Sequence, residues 1–434
     1  MTTRIERTLT PDDRAETPYL TIPFEIGPGT STLEVRLSYD RGSGVIDLGC
    51  AGADGFRGWS GGNRERYVIT PEAATPGYLP GELEPGTWSV VLGLHRIPAA
   101  GLDVTVEIDV PASGPPEAEP PAPPLPERPP RRRLPADSGR TWLACDFHAH
   151  TVHSDGALGR AGLAALAVQA GLDVLAVTDH NTVSHHDGLG QIGDAYGITL
   201  VPGQEVTTDR GHANAFGAIP WIDFRQPPDT WVSQVAETGG LLSINHPLAA
   251  DCAWHHPLAQ RPPLAEIWHW SWLDTRWTGP LSWWNAWGWD TIPVGGSDFH
   301  APEQGRPIGV PVTWVAVDDD VADRLTARAG EGRTGEGVAR DGDRTAAPGS
   351  ASDIGSDAVL AALRAGRTAV AAGRDGPALL RVDGELVAVD AKGTLLTDTL
   401  GRRRPVHDDL ARFPATSGPH WLETPDAAVL AITP

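Results

Sequence analysis

The chain has 434 residues and a formal net charge of −22, enough for two or three domains and too acidic to wrap long nucleic acid, which takes clustered cations. Its single lysine, Lys392, lies outside every motif, which argues against Schiff-base and P-loop lysine chemistry. Cys50, Cys145 and Cys252 form no CxxC pair, and no stretch approaches about 18 consecutive apolar residues, so a cytoplasmic protein without disulfide framework, thiolate zinc site or membrane partner is expected.

Residues 1–110 read as a small all-β sandwich. Thr32–Tyr39 and Leu102–Val110 alternate apolar and polar with period two, and Gly and Pro punctuate the gaps. No catalytic cluster is visible there, so the segment reads as an accessory or substrate-flanking module. Residues 111–136 form a linker: eleven prolines between 111 and 135 favour an extended, semi-rigid spacer. The run Arg131–Arg133 at its end reads as a solvated terminus. From 137 to 320 apolar strands alternate with helical patterns, including a helix over 157–170 closed by Gly171. Such repeats imply a parallel sheet, and ligands at many strand ends imply that it closes into a barrel. Residues 321–355 lack periodicity and read as a disordered insert. The remainder, 356–434, resumes as a helix near 357–366 and ends in a β-rich tail.

Six short stretches of the third segment carry the chemistry. They are Asp146-Phe-His148-Ala-His150, His153-Ser-Asp155, Thr178-Asp179-His180, Glu205 with His212, Asn245-His246-Pro247 and Ser297-Asp298-Phe-His300. Nearly all follow a short apolar run, as loops do where they leave buried parallel strands. In His148-x-His150 the imidazoles lie at i and i+2, on one side of an extended strand end, and can share a metal; Asp298-x-His300 repeats the geometry. Glu205 can bridge two cations with its two oxygens. All-nitrogen-and-oxygen ligands suit Zn, Mn or Fe, and two or three close divalent metals activate water and neutralise charge on the attacked group.

These motifs, in this order, resemble the PHP (polymerase and histidinol phosphatase) superfamily over roughly residues 141–316, and within it the CehA/McbA branch. The resemblance implies an α/β fold, a distorted (β/α)7 barrel, and nine metal ligands. They fall on His148, His150, Asp155, His180, Glu205, His212, His246, Asp298 and His300. By the same resemblance one metal sits on His148, His150, Glu205 and Asp298, a second on Glu205, His212 and His246, and a third on Asp155, His180 and His300. Glu205, Asp298 and His300 are the catalytic candidates.

The expected activity is metal-dependent phosphoesterase chemistry on a small or nucleotide-like molecule. The alternatives are an aryl carbamate, ester or amide hydrolase, and a binding module stabilised by metal. Nine tryptophans between 254 and 289 depart from the family pattern and leave open core packing or an aromatic pocket. The general acid is open among His153, His185, His186, His255 and His256.

Overall fold

The computed structural model describes residues 2–330 and 351–434. Its contacts divide the chain into two units. The first holds Met1–Pro120 together with two short segments from later in the chain, Thr151–Gly159 and Asp179–His185. The second holds Pro121–His150, Arg160–Thr178 and His186–Pro434.

The first unit is built on two four-stranded antiparallel sheets. One runs in the order Thr2–Leu9, Leu102–Asp109, Leu33–Tyr39, Arg66–Ile69; the other Tyr19–Ile26, Gly86–Arg96, Val45–Gly52, Gly55–Trp59. Alternation places Val35, Leu37, Val104 and Val106 from the first sheet with Leu48, Val90 and Leu92 from the second in one buried cluster. The sandwich expected from period-two patterning is thus seen as two sheets sharing one core.

In the second unit a thirteen-stranded sheet carries the functional loops. The strands Arg140–Asp146, Val174–Val177 and Thr199–Thr208 are parallel neighbours. The helix Arg160–Gln169 crosses over between the first two. It ends where expected: Gly171 has φ +78°, its N–H bonds Val168 O and the next N–H bonds Ala167 O, closing the last turn. The sheet is not all parallel. Thr199–Thr208 turns straight back into Gly211–Phe216 as a hairpin, and Leu241–Ile244 is again antiparallel to that strand. The parallel run resumes with Leu264–His269 and Ile292–Gly296. One parallel bridge, Ala149–Phe299, rather than a full ladder joins the ends that follow Arg140–Asp146 and Ile292–Gly296.

Three expectations need correction. The division of labour at residue 137 does not hold, because two loops of the third segment belong with the β sheets. The insert expected over 321–355 is helical at both ends, Asp319–Gly330 and from Ala351; the rest of it lies outside the described residues. The arginine run is not a solvated linker end. Arg131 pairs with Asp173 at 2.9 Å and Arg132 with Asp390 at 2.6 Å, while Arg128 donates to Leu172 O and Gly197 O. Part of the C-terminal tail joins the large sheet, Val429–Thr433 pairing with Thr368–Ala371, while Ala378–Val382, Glu385–Val389 and Leu410–Pro414 form a separate three-stranded sheet. Among the described residues no helix is long and apolar enough to cross a membrane.

One carboxyl in the first unit is held at a cost. Burial pushes Asp47 up to about 7, opposed in part by His180. The folded state therefore keeps a proton that the unfolded chain has lost above about pH 4, and stability falls as pH rises from there to 7. Partial exposure of the side chain reduces the effect. Asp47→Asn should raise the thermal unfolding midpoint at pH 8 by more than at pH 5 in chelator-treated protein; an equal shift at both would show that Asp47 ionises normally.

Candidate metal centre

Seven of the nine expected ligands lie in the second unit, and they converge. Glu205, fully buried on its strand, is the common point. Its Oε1 is 3.1 Å from His212 Nδ1 and 3.3 Å from both His148 Nε2 and His246 Nε2. Its Oε2 is 3.5 Å from His150 Nε2. Asp298 Oδ1 closes the other side, 2.9 Å from His150 Nε2 and 3.2 Å from His148 Nε2. The rings of His150 and His300 stack with centroids 4.2 Å apart, and His300 Nδ1 bonds its neighbour's backbone, Asp298 O, at 2.8 Å. The other two expected ligands, Asp155 and His180, lie in the first unit, 3.6 Å apart.

Local structure explains the aim of these groups. Antiparallel pairing sets Thr207 opposite His212 and Glu205 opposite Asn214, so Glu205 and His212 lie on the two arms of a tight hairpin. His246 and Asp298 both sit at positive φ, +26° and +49°, just past strand ends. Non-glycine residues in that region are strained and persist where the surroundings hold them, often at functional sites. Buried Asp146 is one such support. It accepts from Ser297 N at 3.0 Å, Ser297 Oγ at 2.5 Å, Gly309 N at 2.8 Å and His148 N at 3.2 Å, tying the first and last ligand loops together.

Two acidic and basic groups escaped the sequence reading. Glu266, buried in the strand Leu264–His269, places Oε1 3.2 Å from His148 Nδ1 and accepts from His246 N through Oε2 at 2.7 Å. With a cation at the centre, that bond would keep the proton of His148 on Nδ1 and leave Nε2 free to act as the ligand nitrogen. His269 lies 3.3 Å from Asp298 Oδ2 through Nε2 and 2.7 Å from Ser271 Oγ through Nδ1. Asn245 also donates to Glu205 Oε1 at 2.8 Å. The glycine pair before Ser297 was the available signal: a Cβ on Gly296 would collide with both Glu266 Oε1 and the Cβ of His148. The histidines named as general-acid candidates are mostly engaged elsewhere: His153 with Ser184 and Glu119, His185 with Asp179, His186 with Gly203 O, and His256 with Thr208.

Burial disfavours charge on His148 and His246, yet their partners hold both well above the usual imidazole range: Glu205, Asp298 and Glu266 for His148, and Cys252, Glu205 and Glu266 for His246. Asp298 is held well below the carboxylate range by His148, His150 and His269 despite its burial. The protons stand where cations would compensate the same carboxylates. The donor set fits divalent transition metals: His148 Nε2 is buried with no hydrogen-bond partner and faces two carboxylate oxygens, and His148, His150 and Glu205 offer ligand atoms within 4.8 Å of one another.

No family model matches the chain. An uncharacterized protein of Methanocaldococcus jannaschii is 25% identical over 121 residues, covering 25% of this chain and 71% of that one. Among solved structures, a two-domain protein from Bacteroides vulgatus containing a predicted PHP-like metal-dependent phosphoesterase is similar at 17% identity, with a TM-score of 0.39, over 71% of this chain and 91% of that one. An amidohydrolase from Chromobacterium violaceum, with bound sulfate and no metal, is similar at 16% identity and a TM-score of 0.30, over 42% of this chain and 96% of that one.

Removing the orienting carboxylate should loosen metal without removing a ligand. Glu266→Gln is expected to weaken zinc binding by about 10- to 100-fold, read by competition with a chromophoric chelator, with the circular dichroism unchanged. Wild-type affinity would show that Glu266 is only packing.

Proposed function

We propose that the chain is a divalent-metal hydrolase of the PHP kind, acting on phosphoesters of small molecules. The observation that carries this is the convergence of His148, His150, His212 and His246 on the two oxygens of buried Glu205, with Asp298 opposite. Divalent cations held there would supply Lewis acidity and an activated water near neutral pH. His148, His150, Glu205 and Asp298 would hold one cation, and Glu205, His212 and His246 a second. Glu266 orients His148, and Asp146 fixes the loops from which His148 and Asp298 project.

Three candidate nucleophiles beside the ligands are occupied or buried, which favours direct attack by water. Ser297 Oγ donates to Asp146 and Ser154 Oγ to Asp179 at 2.6 Å. Cys145 is buried, and burial pushes its thiol well above the usual range.

A second reading, hydrolysis of an aryl carbamate, ester or amide, is favoured by one feature. A cleft with about 380 Å³ of empty space adjoins His246, Glu266 and His269 and is walled by Trp272, Trp277, Trp283 and Pro280, with no arginine or lysine in its lining. Such a wall suits a flat, uncharged group better than a polyphosphate. Trp268 and Trp284 of the same segment are packing, buried in one cluster with Trp272, and Trp287 stacks on Trp283.

The metal-loaded protein should hydrolyse p-nitrophenyl phosphate or bis-p-nitrophenyl phosphate, and Glu205→Gln should lower kcat by more than tenfold, at least about 1.4 kcal/mol in barrier. Turnover of 1-naphthyl methylcarbamate alone would favour the second reading. Inactivity on all three, or an active Glu205→Gln, would contradict a hydrolytic centre bridged by Glu205.

A further inference from the structure

We propose that the β unit is a working part of the metal apparatus: Asn63 and Gly77 position the loops that carry Asp155 and His180. The inference rests on the metal reading of those two residues and goes beyond it, because no part of residues 1–110 enters the nine-ligand pattern.

The loops Thr151–Gly159 and Asp179–His185 belong to the first unit by their contacts. Each is gripped by backbone and side-chain bonds from the β sheets' connections. Asn63 Nδ2 donates to Ser154 O at 2.7 Å, one residue before Asp155, and Arg64 donates to the same carbonyl at 3.3 Å. Gly77 N lies 3.1 Å from Ser184 Oγ and 3.4 Å from His153 Nδ1, and Thr182 Oγ1 returns a bond to Gly77 O at 2.9 Å. Gly77 is buried at φ +100°, and a Cβ there would lie 2.8 Å from both His153 O and Trp59 O. Only glycine lets the β segment approach the loop this closely.

Between these grips buried Asp179 locks the two loops to each other. It accepts from Thr151 N at 2.8 Å, Thr151 Oγ1 at 2.7 Å and Ser154 Oγ at 2.6 Å, and faces His185 Nδ1 at 3.1 Å. Ser184, His153 and Glu119 line up like a nucleophile, base and acid, with spacings of 2.7 and 3.0 Å. Ser184 Oγ, however, also accepts from Gly77 N, which ties it to the β segment, so the array works as a latch. Asp155 and His180 are left 3.6 Å apart with their side chains partly exposed, as a ligand pair held by its surroundings.

The test is a Co(II) titration of the chelator-stripped full chain, followed by calorimetry and visible absorption. Asp155→Ala and Glu205→Gln serve as references that remove different binding events. Asn63 is exposed, so Asn63→Ala should fold; it is expected to weaken about tenfold the event that Asp155→Ala removes and to leave the Glu205-dependent events unchanged. Faster hydrogen exchange over 151–159 and 179–185 should accompany it, and Gly77→Ala should do more if it folds. Wild-type Co(II) binding by Asn63→Ala, or equal weakening of every event, would overturn the positioning role. A wild-type titration with no event sensitive to Asp155→Ala would overturn the metal reading of the pair itself, and the positioning role with it.

Discussion

A carboxylate sealed from water is costly unless opposite charge and hydrogen bonds meet it, and Glu205 is such a group. Four imidazoles and the Asn245 amide are arranged around its two oxygens, and much of the second unit can be read as the means of holding them there. The hairpin Thr199–Phe216 brings His212 alongside. Strand ends at 146, 244 and 296 deliver His148, His246 and Asp298, and Asp146 and Glu266 tie those ends together. The strained backbone of His246 and Asp298 is the local cost of aiming their side chains inward.

The same device recurs in the first unit with a different acid. Asp179 does for the loops of Asp155 and His180 what Asp146 does for those of His148 and Asp298: a buried carboxylate collects backbone N–H groups and hydroxyls from a loop distant in sequence. Each such acid sits one or two residues from a candidate ligand, in Asp146-Phe-His148 and Asp179-His180. An acidic motif residue therefore need not be a ligand; two of the five acids in these stretches, Asp146 and Asp179, are struts.

Much of the framework was legible because it is local. The apolar runs Val174–Val177 and Leu241–Ile244 are strands with those bounds, and Gly171 caps the helix before the first of them. What was not legible depends on long-range contact. Glu266 sits in Leu264-Ala-Glu-Ile-Trp-His269, which reads as apolar packing in a tryptophan-rich stretch, and its partner His148 is 118 positions away. The bond from Asn63 to Ser154 spans 91 positions, and no periodicity in either segment reports it. The hairpin turns at Asp209-Arg210, with Gly211 at φ +120°; the alternation around it looks the same whether the next strand is parallel or antiparallel.

The proposed hydrolytic centre requires that Glu205 join two cations. Crystals of the full chain soaked in Mn(II) or Zn(II) and measured at the metal edge would decide it by anomalous scattering. Two peaks are expected, each within about 2.0–2.2 Å of a different Glu205 oxygen, one shared with His148, His150 and Asp298 and the other with His212 and His246. A single peak, or metal bound with Glu205 turned away, would contradict it.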